Sequence, residues 1–529
     1  MRARLMTINN YPPKRQRGYA TIFTLLLFTA VALAVFSMYD IGQTNTDKVR
    51  LQNAADAAAY SGANMMARDF NFMAYTNRAM VANQAAIGQM VGLASWTAQM
   101  DQTTANIRRV SAFVSWVPYI GPLINRIATA LDRATQAVDR VIQRITPGII
   151  SGLDAMGFVL SMAQNGHHIA TIGSTYTTMT EVIEENDPDA RLGLVGNALF
   201  WNDFRDAWSD HVKRNTTELP RNPRSRQAWE AKEFKVDRFE EFTEIVNHST
   251  DAFTHERSTR WLELPGFPIQ ARIDKRGGTE FDMRESRRRR QLEWDWSSMD
   301  TESLHSRSWD WGGTFSLPGW DSWGERIPLG WGAAHAKDSG TRGRRYNYVR
   351  RRRGGKWGNA WHNRSSAYMA QAIHGQNNLR KIGGLRPYYD FARDHDPKYN
   401  QDLEVGDTSQ GPSLGVYVRK PSSKITTTST LAQEHEGFPD SQNLDVEENG
   451  GAASNQLGAV ARAELYFKRP SRLWPKQGTR EGRYVGKHEH GNLYNPYWQV
   501  RQTEPLRVQR MAANADSFSG IGSISFGGP

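Results

Sequence analysis

The sequence predicts an α+β protein in which a single N-terminal transmembrane helix continues into a mostly helical section, followed by a Trp-rich mixed α/β exported region with long loops. Three observations predict this: an uncharged apolar run near the start, an Ala-rich section without Pro behind it, and a polar second half that holds most of the 17 Trp. At 529 residues the chain is long enough for more than one folded unit. We divide it into a basic cytoplasmic tail (1–17), a transmembrane helix (18–39), a helical region (40–185) and an exported mixed region with flexible segments (186–529).

The run from Tyr19 to Met38 carries no charge. Twenty helical residues rise about 30 Å, which matches the hydrocarbon core of a bilayer. The first seventeen residues contain five basic side chains and no acidic one, so the N-terminus is expected to stay in the cytoplasm while the rest is exported. A cleaved signal peptide is the alternative, because Ala30-Val-Ala32 and Ala32-Leu-Ala34 both fit a small-x-small site. Those sites lie inside the apolar run, and the run exceeds the usual signal core of about 7–15 residues, which favours a retained span.

The section from residue 40 to 109 is rich in Ala, Gln, Asn and Met and contains no Pro, which predicts one long helix or two in sequence. Small residues recur along one face of it, and such a face lets the backbone of another helix approach closely. The alternative is that Ala is present simply as the best helix former. The residues predicted to pack against a partner helix are Leu51, Ala55, Ala59, Gly62, Ala63 and Ala67.

The uncharged run at 110–125 contains Pro118, Gly121 and Pro122, which predicts a helix break. It is short for a span, so membrane contact there is the less favoured interpretation. Beyond it, apolar residues recur every three or four positions, as in an amphipathic helix, and Pro147 is predicted to end that helix. We expect the helices of this region to pack on one another. The repeating positions are Ile127, Leu131, Ala134, Val138, Val141 and Ile145.

The second half has strand-like fragments at 270–274, 415–419 and 463–468, bounded by turn-forming residues. The stretches 332–364 and 398–455 are polar and Gly-rich, which predicts loops or partial disorder. The chain contains no Cys, which excludes disulfides and thiolate metal sites.

The formal net charge of +11 indicates acidic partners such as anionic lipid, anionic envelope polymers or nucleic acid. An exported location argues against nucleic acid. The densest basic runs lie near Trp residues and are candidate contacts with anionic surfaces, solvated loops being the alternative. These candidates are Arg287, Arg288, Arg289, Arg290, Arg350, Arg351, Arg352 and Arg353.

Motifs for catalysis are sparse in the sequence. It has no His-Glu-x-x-His and no Gly-x-x-x-x-Gly-Lys loop, and it has one Gly-x-Ser-x-Gly string, at 411–415. His488 and His490 would share one face of a strand, as two zinc ligands can, but spacing shows no third ligand. His167 and His168 are expected to point apart on a helix, as packing or surface residues. We therefore predict no catalytic, cofactor or metal residue and no enzyme activity, a hydrolase with an unidentified site being the alternative.

Three short segments carry a resemblance to a known family. They are Arg17-Gly18-Tyr19-Ala20, then Tyr-Asp-Ile-Gly at 39–42, then Leu-Gln-Asn-Ala-Ala-Asp-Ala-Ala-Ala at 51–59. Together they resemble the N-terminal region of TadG-like proteins of the bacterial Tad (tight adherence, Flp) pilus assembly system. The resemblance covers about the first seventy residues. It implies a single-pass inner-membrane protein, its bulk in the periplasm, that takes part in pilus assembly or anchoring without catalysis, with other Tad proteins or pilins as partners.

Two departures limit what the resemblance implies. Prepilin-like relatives are cut after a Gly and carry Glu five residues later, whereas this chain has Phe23 there, so we predict that Gly18 is not processed. Some TadG-like proteins carry a von Willebrand A-type domain with an Asp-x-Ser-x-Ser metal site. The strings that begin at Asp295 and Asp407 lack the last Ser, so neither that domain nor its Mg²⁺ is predicted. The alternative function is an adhesive protein that binds envelope glycan or lipid.

Overall fold

The computed structural model describes residues 19–114, 120–205, 210–220, 225–286, 290–312, 317–338, 357–374, 378–382, 385–396, 410–421, 424–427, 456–470 and 489–519. A helical N-terminal region is followed by an α+β region rich in β-sheet. The predicted fold class is confirmed at this level.

The first helix, α1, runs without interruption over Tyr19–Val114, a length of 96 residues. At 1.5 Å per residue it is about 144 Å long. The predicted span and the Ala-rich section are thus one helix, as expected of a sequence that has no Pro across it. Its first part is exposed, whereas from Asp47 onward one side of the helix is buried in the rest of the protein.

The second helix, α2, spans Ile120–Asn186 and runs antiparallel to α1. Ser111 of α1 donates to Asn125 near one end of this hairpin, and Asp69 contacts His168 towards the other. The predicted break falls between the two helices, where residues 115–119 lie outside the described part of the chain. The predicted stop at Pro147 is wrong, because Thr146 and Ile150 are both fully buried and hold the helix on α1 across the Pro.

The remaining elements follow in chain order. After α3 (Gly193–Arg205), β1 (Val212–Asn215), α4 (Arg226–His248) and α5 (Ala252–His255) come the strands of the largest sheet. These are β2 (Thr259–Leu264), β3 (Ile269–Ser286), β4 (Gln291–Asp310), β5 (Gly319–Trp320) and β6 (Gly324–Asp338). The chain continues with α6 (Trp357–Ala360), α7 (Arg364–His374), β7 (Asn378–Ile382), β8 (Tyr388–Phe391), β9 (Gln410–Pro421), β10 (Gln456–Phe467), β11 (Trp498–Thr503) and α8 (Arg507–Ser519).

The described strands form three sheets. The largest has the order β2-β3-β4-β6-β7 with β5 paired to β4, a second has the order β11-β10-β9, and β1 pairs with β8. The predicted strand fragments lie in β3, β9 and β10, the last fragment ending one residue beyond its strand. Two predicted loop stretches contain regular structure, because 332–338 completes β6 and 410–421 forms β9. Residues 339–356 and 428–455 lie outside the described part.

Two apolar cores lie along α1, one after the other. In the first, Leu51, Phe70 and their neighbours pack on α2 and on the sheet of β9, β10 and β11. In the second, Ile87 and Val91 pack with Trp294 and Trp296 of the large sheet. The helix therefore packs against both sheets and is their common support.

Candidate functional site

The exposed apolar start of α1 is the first functional feature. By length and composition alone, two described helices are apolar enough to cross a membrane. The most apolar stretch of α1 has a mean hydropathy of 2.3 and no buried residue, whereas that of α2 has 1.4 and is 22% buried. Phe23, Leu25 and Phe28 of α1 are each more than two-thirds exposed. A fully exposed apolar helix is unfavourable in water, so this segment requires an apolar environment.

A buried charge cluster lies where α1 enters the folded region. Lys420 Nζ of β9 lies 3.1 Å from Asp47 Oδ1 on α1 and 3.0 Å from Asp187 Oδ2, which directly follows α2. Burial by itself lowers the pKa of Lys420, but its hydrogen bonds to Asp187 and Asp47 outweigh this and raise that pKa above its usual value. One cation thus connects both helices, at the open end of their hairpin, to the sheet.

The predicted partner-helix face lies inside the protein. Leu51, Ala55, Ala59 and Ala63 are fully buried, and Ala67 is nearly so. A Cβ added to Gly62 would lie 2.6 Å from Met179 Sδ of α2 and 2.8 Å from Leu414 Cδ2 of β9. The small residues thus allow close approach of elements of this same chain, while contact of this face with a partner helix stays a prediction.

His167 and His168 converge on one buried carboxylate instead of pointing apart. The Nδ1 atoms of both rings lie 2.7 Å from the two oxygens of Asp69, whose side chain is wholly buried between α1 and α2. His167 also stacks on Phe72, and His168 packs on Tyr389. The expectation that they point apart is therefore wrong, whereas their packing on Phe72 and Tyr389 agrees with the expected packing role. The partner Asp69 lies 98 residues away, which local periodicity could not reveal.

Further along, α1 presents polar side chains to the large sheet. Arg257 forms two hydrogen bonds with the carboxylate of Asp300, of 2.8 and 2.9 Å, and Ser95 of α1 donates to the same carboxylate at 2.8 Å. Thr103 of α1 donates to Glu302 at 2.7 Å. These buried carboxylates are engaged in hydrogen bonds that hold helix and sheet in register, which is a structural role.

Asp274, His305 and His362 form a candidate metal cluster, since one ligand atom from each lies within 4.8 Å of the others. The residues present do not fit a divalent cation. Arg272 Nη2 lies 3.1 Å from the Asp274 carboxylate and already balances its charge. The two imidazole rings are stacked, with an interplanar angle of 15° and a centroid distance of 4.8 Å, so their planes do not meet at one ion.

The other predicted contacts fall mostly outside the described residues. Of the eight candidate arginines, only Arg290 is described, in the turn between β3 and β4, where its carbonyl accepts from the amide of Leu219. The remaining seven, Arg287, Arg288, Arg289, Arg350, Arg351, Arg352 and Arg353, lie outside the described part, as does His488.

Comparison with protein families bears on the N-terminal segment. Residues 18–65 match the family model described as Tad, putative Flp pilus-assembly TadE/G-like. This segment is therefore similar to Tad domains. It contains the exposed apolar part of α1, Asp47 and most of the small-residue face, so the resemblance to TadG-like proteins is confirmed there. The matched segment accounts for a small part of the 529 residues. No curated protein and no solved structure matches the chain.

Proposed function

We propose that this chain is a non-catalytic, membrane-anchored component of Tad/Flp-type pilus assembly that acts as a periplasmic scaffold or anchor through helix packing. The match to the Tad family model supports a role in pilus assembly. The observation that carries the scaffold proposal is the continuity of α1, whose exposed apolar start leads without a break into the buried part that supports both sheets.

The length of α1 supports a mechanical role for it. Between Met38 and Val114 the helix rises about 114 Å, and transmembrane helices tilt on average only about 20° from the bilayer normal. The helix would therefore project far from the membrane. Because α2 and the two larger sheets pack along it, it is supported over most of that distance and can transmit force between a pilus and the membrane.

The basic tail sets the proposed orientation. Positively charged flanks remain cytoplasmic, so the N-terminus lies inside and the β-rich region in the periplasm. Other Tad proteins or pilins are the proposed partners. The proposed lack of catalysis is supported by the similarity of residues 18–65 to a pilus-assembly family.

Genetic complementation with a disrupted span tests the proposal. In cells lacking this gene, we expect the full chain to restore pili and a variant with Leu26→Arg and Phe28→Arg to fail, because two charges in the span cost several kcal/mol of insertion energy. Alkaline carbonate should extract the variant from membranes but leave the full chain in the pellet. Trp311→Arg, at an exposed position in the β-rich region, is the matched control. Normal piliation by the charged variant, or release of the full chain by carbonate, would contradict the proposal.

A further inference from the structure

The apolar stripe of α2 faces away from the protein. The large apolar side chains along it are between 41% and 58% exposed. The helices of this region do pack on one another, as expected, but this stripe takes no part in that packing. The stripe consists of Ile124, Ile127, Leu131, Val138, Val141, Ile145, Ile149, Met156, Val159, Met162 and Ile169, and we call it the outer stripe.

The face of α2 that contacts α1 carries polar and apolar residues together. Thr104 and Thr135 share a hydrogen bond of 2.5 Å, and Thr97 donates to Asp139 at 2.9 Å. Elsewhere along the hairpin Arg108 pairs with Asp132 at 2.8 Å, while Ile150 of α2 lies in an apolar core. The helix thus buries one face on its own chain and leaves a second, apolar face uncovered, which an ordinary surface helix does not.

The spacing of the outer stripe identifies what fits it. Ile124, Leu131, Val138 and Ile145 are seven residues apart, and Ile127 and Val141 lie on the intervening positions of the same repeat. An apolar repeat of 3.5 residues is the pattern by which parallel helices pair side by side. The small residues Gly152 and Gly166 continue the row, and an added Cβ at either would meet nothing within 4 Å. A second helix can therefore approach along the whole row.

We propose that the outer stripe is the surface on which a second copy of this chain packs, with α2 against α2, parallel and in register. The half-exposed side chains offer roughly 80 Å² each, hence about 900 Å² per copy, which is close to the about 800 Å² per partner of a stable interface. A symmetric pair uses the same patch on both copies, so the stripe complements itself.

The parallel orientation rests on the proposed membrane anchor. Two copies held by α1 in one bilayer present the outer stripe at the same height and in the same direction. The end of the stripe nearest the span lies beside Asp69, about 46 Å beyond Met38, and it extends farther from there. Lipid of the same bilayer cannot reach it. The exposed Arg126, Arg133 and Arg140 beside the stripe would otherwise suit anionic lipid, so lipid contact is one outcome of the test.

Cysteine cross-linking tests this directly, since the chain contains no Cys. Ile127→Cys and Ile145→Cys are introduced separately into the full-length protein in native membranes and oxidised. Parallel, in-register pairing predicts that each variant cross-links to itself and moves from 59.8 kDa to twice that mass. An antiparallel pair would join at most one of the two positions, because they are about 27 Å apart along the helix. Arg140→Cys, exposed off the stripe, should remain monomeric.

Two results would overturn the proposal. One is absence of self-cross-linking at both positions while each Cys reacts freely with a water-soluble maleimide, which would show an uncovered stripe. The other is absence of cross-linking together with protection from maleimide that only detergent removes, which would show that lipid covers it. Carbonate extraction of the same samples reports on the anchor separately, so failure of pairing is distinguished from failure of anchoring.

Discussion

Lys420 Nζ lies 3.1 Å from Oδ1 of Asp47, although 373 residues separate them in the sequence. Asp47 lies in the segment that matches the Tad family model, and Lys420 lies in the sheet of β9, β10 and β11. Both side chains are buried, and Asp187 completes the cluster. The first turns of α1 beyond the apolar segment are thereby held to the β-rich region by charge as well as by apolar packing.

Replacing Lys420 should destabilise this junction. Lys420→Met leaves two carboxylates buried without their cation, which costs about 3–5 kcal/mol when a buried ion pair is broken. We expect a clear fall in the midpoint of thermal unfolding of the detergent-solubilised protein. Lys424→Met removes an exposed ion pair with Asp189 and is the control, with a change below about 1 kcal/mol. If both substitutions lower the midpoint equally, the buried cluster contributes no more to stability than the exposed ion pair does.

The close packing of β6 on α1 gives a second prediction. A Cβ at Gly332 would lie 2.5 Å from the backbone nitrogen of Gln99, and backbone cannot move aside cheaply. Gly332→Ala should therefore cost about 1–3 kcal/mol through overpacking. Gly42 lies in α1, and a Cβ added there would meet nothing within 4 Å. Gly42→Ala should therefore stabilise the protein by up to about 1 kcal/mol. Denaturant titration of both variants measures the difference, and equal effects would contradict the packing described.

Acidification provides a third prediction, through His211. Burial, with a smaller effect from the stacked His395, lowers the pKa of His211 to about 3. The folded state therefore favours neutral imidazole: its contribution is complete above pH 6.5 and is lost as pH falls towards 3. At pH 5 the loss is about 2 kcal/mol, at 1.36 kcal/mol per pH unit.

His211→Phe isolates this contribution from that of Asp390, whose pKa burial raises to about 6 and which acts in the opposite direction over the same range. The test compares the change in unfolding midpoint between pH 7.5 and 5 for the two proteins. We expect the variant to lose less stability on acidification than the unchanged chain. Identical pH dependence would show that His211 is not titrated on unfolding in this range.

Local features of the fold could be predicted from the sequence. The apolar run and the Ala-rich section without Pro predicted α1, because helix propensity and periodicity are properties of neighbouring residues. The direction in which a helix face points depends on distant parts of the chain and cannot be read from neighbouring residues. The spacing of Val138 and Val141 shows that α2 has an apolar side, but only their exposure in the fold, with Thr135 and Asp139 hydrogen-bonded to α1, shows that this side faces outward.

The candidate site was predicted only in part, for the same reason. The Tad segment is recognisable because its residues are contiguous in the sequence. The pairing of Asp69 with His168 and of Asp47 with Lys420 joins residues 99 and 373 positions apart. Such pairs depend on how helices and sheets meet, which no window of neighbouring residues contains. Likewise, burial of Ile150 on α1 outweighs the helix-breaking tendency of Pro147.

The proposed role requires that α1 is retained in the inner membrane with the β-rich region outside it. A paired reporter fused after Pro529, one half active only in the periplasm and the other only in the cytoplasm, tests this most directly. Retention predicts periplasmic activity from a full-length protein that still carries its N-terminal residues and remains with the membrane. Cytoplasmic activity, or a mature protein that begins beyond Ala34, would contradict it.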